Sequence, residues 1–333
     1  MKGQVMAQTQ HPSHDLKKPI PSQRPPRPMR VYPGDAAFKS TPQAATPRST
    51  APPSMSLTPD WRTILNSSMG GYTNEQIMQH YWTRYVYENG MLDYLNDEWQ
   101  RYRETGNHVI SDTGLKLTAL PHNGDFWPSG MLRSKDCYPI GDGNEWYFEA
   151  RLRAPKFLGG WVGFWIAGSE RNPGDDQSVP WPPEIDMCEI VNNGKDDTTH
   201  MLHCSAKVQD WDTNPQGYEG TWAVDNFNWQ WMYHWSDADL ADGFHTYGLY
   251  YKEPEGIVYL DRAPILAFNY HWVADDGQPM PGCYLLTNLA VGGNWAGRYG
   301  VDNDALPQSL DVDYLRVFQR VPQSTIGHDL LTP

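Results

Sequence analysis

From about residue 60 the chain breaks into short apolar and aromatic runs divided by Gly, Pro, Asn and Asp. WYFEARLRA, GGWVGFWIAG, EIDMCEIV, THMLHCSAK, FHTYGLYYK, GIVYLDRAPI, CYLLTNLAV and LDVDYLRVF each have the length and residue types of a β-strand. FEARLRA and LDVDYLRVF alternate, as antiparallel strands do when one face is packed. The helical pattern is confined to NEQIMQHYWTRYVYENG, near the start of the domain. Many short strands with turn residues between them predict an all-β domain, a sandwich or jelly roll.

Residues 1–58 differ from the rest, so the chain divides into an arm (1–58) and a folded body (59–333). The arm is rich in proline and poor in large apolar residues, a composition that cannot build a core. Lys17, Lys18, Arg24, Arg27 and Arg30 make it basic. It reads as a disordered linker, or as an extended segment that orders on a partner protein. Its first residues, MKGQVMAQTQHPSHD, lack the apolar stretch of a secretory signal. The whole chain carries a formal net charge of -14. That charge disfavours nucleic acid and anionic membrane surfaces as partners. No run of residues is apolar enough for a transmembrane helix. The four cysteines are too irregularly spaced for a zinc motif and read as buried free thiols. Cys188 and Cys204 are left open as a pair should their strands be neighbours.

The 15 Trp and 19 Tyr are many for this length. Such rings fill cores, and they also line carbohydrate clefts, where a flat ring matches the apolar face of a sugar. The interval 207–241, with Trp211, Trp222, Trp229, Trp231 and Trp235, is too aromatic for a passive loop.

PPEIDMCEIV, residues 182–191, places Glu184, Asp186 and Glu189 in an apolar strand, where acids are depleted. Glu184 and Asp186 share a face, but Glu189, five residues from Glu184, falls on the other in a regular strand. A β-bulge at Met187 or Cys188 restores the face. The two Glu Cα atoms are then on the order of 13 Å apart, and inward-leaning side chains approach the separation of about 5–5.5 Å that a retaining glycosidase requires. In that chemistry Glu184 attacks the anomeric carbon, Glu189 serves as acid and then base, and Asp186 sets which group holds the proton.

These residues resemble glycoside hydrolase family 16, in the ExDxxE branch with laminarinases, agarases, porphyranases and carrageenases. SGMLRSKDCY, WYFEARLRAP, GGWVGFWIAG, FHTYGLYY with GIVYLDRAP, and LLTNLAVGGNWAG with LDVDYLRVFQR are similar to further family segments. The resemblance covers about residues 75–320. It implies a concanavalin A-like β-jelly roll of two antiparallel sheets with a cleft across the concave face. It also implies Glu184 as nucleophile, Asp186 as assistant and Glu189 as acid/base. Trp161, Trp165, Trp181, His203, Asn96 and Trp295 are the implied sugar-binding residues. No cofactor is required, although some members carry a structural calcium, whose aspartate corresponds to Asp313 with a backbone carbonyl near Gly114. Pro183 stands where the family prefers glycine, Asp97 where asparagine is frequent and Met131 where arginine is frequent.

The expectation is an endo-acting retaining β-glycanase on an extracellular polysaccharide, with β-1,3-glucan first and a galactan second. The arm suggests a virion-associated depolymerase anchored to a structural protein. The rival is a non-catalytic carbohydrate-binding or structural virion protein with the same jelly roll.

Overall fold

The computed structural model describes residues 54–58, 60–87, 90–95, 97–111, 114–169, 183–207, 231–274 and 278–321. Their strands build two large antiparallel sheets. The first runs β17 (Ala263–Asn269), β16 (Glu255–Leu260), β15 (His245–Lys252), β10 (Trp146–Arg153), β19 (Gln308–Arg320), β7 (Gly114–Ala119) and β6 (His108–Ser111). Strand β1 (Trp61–Ser68) pairs along the far half of β19. The second runs β14 (Trp231–Trp235), β13 (Met201–Lys207), β12 (Glu184–Asn192), β11 (Gly160–Gly168), β18 (Cys283–Val291), β9 (Met131–Ser134) and β2 (Tyr81–Trp82). Two short pairs, β3 (Tyr85–Tyr87) with β4 (Gly90–Leu92) and β5 (Gln100–Tyr102) with β8 (Trp127–Ser129), lie outside them. The expected two-sheet jelly roll is therefore present.

Alternation along each strand decides what enters the space between the sheets. Val162, Phe164 and Ile166 of β11, with Leu202 and Cys204 of β13, meet Phe148, Ala150, Leu249, Leu315 and Val317 of the first sheet in one buried core. Each of the Val, Leu, Ile and Phe side chains among them contributes roughly 1.5–3 kcal/mol relative to an exposed position. Trp161, Gly163 and Trp165 therefore fall on the opposite face of β11, where the site lies.

The helical pattern is realised only in part. Helix α1 covers Asn74–His80, and Thr73 and Gln76 close its N-terminus as a capping box. The rest of NEQIMQHYWTRYVYENG continues as β2 and β3. Aromatic and β-branched residues dominate there, and they fit a pleated, half-buried surface better than a helix. Among the described residues no helix is long and apolar enough to cross a membrane.

Cys188, Cys204 and Cys283 are buried thiols, and Cys137 is exposed. Cys188 and Cys204 lie on neighbouring strands without bonding, and the Cys204 thiol donates to the Met187 carbonyl at 3.3 Å. Burial pushes both thiols well above their ordinary range. At the end of the Pro-rich arm, Met55 and Leu57 pack on Tyr147, Ile257, Tyr259 and Phe318. Residues 1–53 lie outside the described residues.

Candidate active site

Met187 is the extra residue of a β-bulge. On β11, Phe164 pairs with Cys188 and the next residue, Trp165, pairs with Asp186. On β13, Asp186 faces Ser205 and Glu189 faces His203, so three steps of β12 match two of its neighbour. Met187 and Cys188 both enter the core, and the alternation restarts with its phase reversed. Glu184, Asp186 and Glu189 thereby share the face away from the core. Asp186 and Glu189 are 5% and 6% exposed, and Glu184 is half-buried.

Pro183 is accommodated at the entry to this strand. Its carbonyl accepts from Gly168 N at 2.9 Å, and a Cβ on Gly168 would lie 2.9 Å from the proline ring. The Glu184 amide donates to the Tyr270 hydroxyl at 3.3 Å. A proline without an amide proton thus costs the ladder nothing here, because its carbonyl is the group that pairs.

The neighbouring side chains hold the acids in place. Ser205 donates to Asp186 Oδ2 at 2.5 Å. Trp161 donates its indole N–H to Glu189 Oε1 at 3.2 Å. Trp165 donates to Asn288 Oδ1 at 2.8 Å, and Asn288 donates to the Tyr102 hydroxyl at 2.9 Å. Trp295 is fully buried behind Trp161, edge to face at 5.0 Å. His203 is also buried, and its Nε2 lies 2.9 Å from Asp197 Oδ1. Trp161 and Trp165 therefore belong to the acid-bearing face and not to the core between the sheets. Asn96 and Trp181 lie outside the described residues, as do Trp211, Trp222 and Trp229.

Several members of the site escaped the sequence. Asp197 is fully buried and accepts from His203, from Trp295 Nε1 at 2.8 Å and from Asn193 Nδ2 at 2.9 Å. Glu98 Oε2 accepts from Gln100 at 2.6 Å, and from Tyr102 and the Leu95 amide at 3.3 Å each. Burial pushes its carboxyl up to about 7, although the bond from Gln100 pulls the other way. The Glu98-x-Gln100-x-Tyr102 alternation was the one available signal, a polar face in a short strand. Asp197 had none beyond its place in a turn.

The departures at positions 97 and 131 also have structural settings. Asp97 accepts from the Asn294 amide at 2.8 Å. Met131 packs with Tyr102, Trp165, Tyr284 and Leu286, while Arg133, two residues on, lies over the Tyr284 ring at 3.6 Å.

The residues around Asp313 do not fit a calcium ion. Its carboxylate pairs with Arg151 Nη1 at 2.5 Å, and a guanidinium there opposes a divalent cation. Among the described residues no group of three or more His, Cys, Asp and Glu is placed to hold a metal.

A two-sheet sandwich carrying a row of carboxylates flanked by indoles has the form of a jelly-roll glycoside hydrolase. The family model for glycosyl hydrolases family 16 matches residues 96–315, and the chain belongs to that family. It is 30% identical over 237 residues to an endo-1,3-1,4-beta-glycanase of Rhizobium meliloti, covering 68% of this chain and 42% of the relative. The chain thus spans less than half of that relative's length. It is 30% identical over 259 residues to a beta-glucanase of Rhodothermus marinus, covering 72% of this chain and 80% of the relative. The fold superposes on an endo-1,3-beta-glucanase from Streptomyces sioyaensis with a TM-score of 0.62 at 18% identity, covering 83% of this chain and all of that one.

Proposed function

We propose that the protein is an endo-acting, retaining β-glucanase in which Glu184 is the nucleophile, Glu189 the acid/base and Asp186 the assisting residue. The observation that carries this reading is the Met187 bulge, which brings Glu189 onto the face of Glu184 and Asp186. Glu184 attacks the anomeric carbon as the glycosidic bond breaks, and the leaving oxygen takes the proton of Glu189. Glu189 then removes a proton from water, whose oxygen displaces Glu184 from the same carbon. Asp186, held by Ser205, keeps a third carboxyl in the set.

The β-1,3 or mixed β-1,3-1,4 glucans are the substrates of choice, given the names of the relatives that match over most of the body. Trp161 and Trp165 supply indoles for a sugar chain on the acid-bearing face. Such a substrate places the enzyme's work outside a cell. Glu184→Gln should abolish reducing-sugar release from these glucans while the variant still binds them. A wild type as inert as the variant across glucans and galactans would leave a binding or structural protein as the better reading.

The basic, Pro-rich composition of residues 1–58 supports a docking arm for a carrier such as a virus particle. Deleting residues 1–53 should leave hydrolysis intact and abolish particle association. Association that survives the deletion counts against the arm.

A further inference from the structure

Glu189 stands between Gly163 on β11 and His203 on β13, each its register partner. Residues directly opposite across a pair have Cβ atoms about 4.5–5.5 Å apart. His203 is held from behind by Asp197, whose side chain is 0% exposed while that of the histidine is 1% exposed. A carboxylate only accepts, so His203 Nε2 carries the proton of this 2.9 Å bond. In the neutral ring Nδ1 is then an acceptor, and whatever meets it must donate.

We propose that Asp197 is a positioning residue: it fixes His203, beside Glu189, in the tautomer whose Nδ1 accepts, and so favours the protonated form of Glu189. This rests on the reading of Glu189 as the acid/base. A lone pair on the neighbouring ring disfavours the anion of Glu189 and leaves the neutral acid as the form that can donate to it, the state needed when the leaving group departs. Facing the pair are also Trp161, whose indole donates to Glu189 Oε1 at 3.2 Å, Asp186, two register steps along the row, Tyr233 on β14, whose ring lies 6.3 Å from His203, and Trp295 at 4.9 Å.

Asp197→Asn inverts this arrangement without a change of shape. Trp295 and Asn193 both donate to Oδ2. The Asn193 amide cannot turn over, because its own oxygen accepts the amides of Lys195, Asp196 and Asp197 at 2.9 to 3.1 Å. The oxygen of an asparagine at 197 must therefore face those two donors, and its NH2 must face His203 Nε2. That nitrogen becomes the acceptor, and Nδ1 becomes a donor that favours the anion of Glu189.

The test combines two readings on full-length protein. Nitrogen-15 NMR of the His203 ring should show a neutral Nε2–H form in the wild type and an Nδ1–H form in Asp197→Asn. On a soluble β-1,3-glucan the variant should lose about 10- to 100-fold in kcat/KM. The basic limb of its pH profile should move to lower pH, on the order of one unit. A purely structural role would lower activity without moving that limb. An unmoved limb, or one moved upward, overturns the inference. So does a neutral wild-type ring with its proton on Nδ1, a measurement that needs neither activity nor the variant. A wild type that cleaves no glucan would instead overturn the functional reading.

Discussion

A Cβ on Gly163 would lie 2.5 Å from Asn288 Oδ1, the same oxygen that holds the Trp165 indole. The glycine opposite Glu189 is thus the space into which a neighbouring carboxamide fits, and that carboxamide positions a ring of the site.

Gly163→Ala should displace Asn288 and release Trp165. The expected result is a raised KM for glucan with a destabilisation of about 1–3 kcal/mol, the usual cost of overpacking a filled site. Steady-state kinetics and urea melts check both. An unchanged KM would show that Trp165 needs no such support.

Deleting Met187 removes the extra residue of the bulge. Either Glu189 returns to the core face or every residue beyond it slips in register. Activity should vanish, whereas Met187→Leu, which keeps the length and nearly the volume, should retain it at a cost below about 1.5 kcal/mol. Hydrolysis by the deletion variant would mean that the bulge does not set the site.

Glu98 gives a pH dependence of stability. Its carboxyl is raised by burial from 4.5 to about 7, so the folded state binds more protons than the unfolded chain between those values. Stability from this group is complete below about pH 4.5 and lost as pH rises through 7. Glu98→Gln should flatten the decline of the urea midpoint over that window, a difference on the order of a few kcal/mol at most. Parallel curves for the two proteins would place the Glu98 titration elsewhere.

The bulge was legible because five residues separate Glu184 from Glu189, and period-two geometry makes that interval irregular. The direction of Trp161 and Trp165 was only half legible. Gly163 between them showed a shared face, but not that Val162, Phe164 and Ile166 would take the core. Helix α1 stops at His80 because sheet pairing of Tyr81 and Trp82 with Ser134 and Arg133 outweighs local helical pattern. Asp197 and Asn288 were invisible for a common reason. Their bonds to Trp295 and Trp165 cross long stretches of chain. Spacing within one run carries no such information.

The central claim is that Glu184 and Glu189 divide the nucleophile and acid/base roles. Glu189→Ala, given an aryl β-oligoglucoside with a good leaving group, should still form the glycosyl-enzyme but be slow to release it. Added azide should restore turnover, and the product should be the β-glycosyl azide, identified by its anomeric proton in NMR. An α-glycosyl azide would mean that azide had replaced the nucleophile, and the assignment of the two carboxylates would be contradicted.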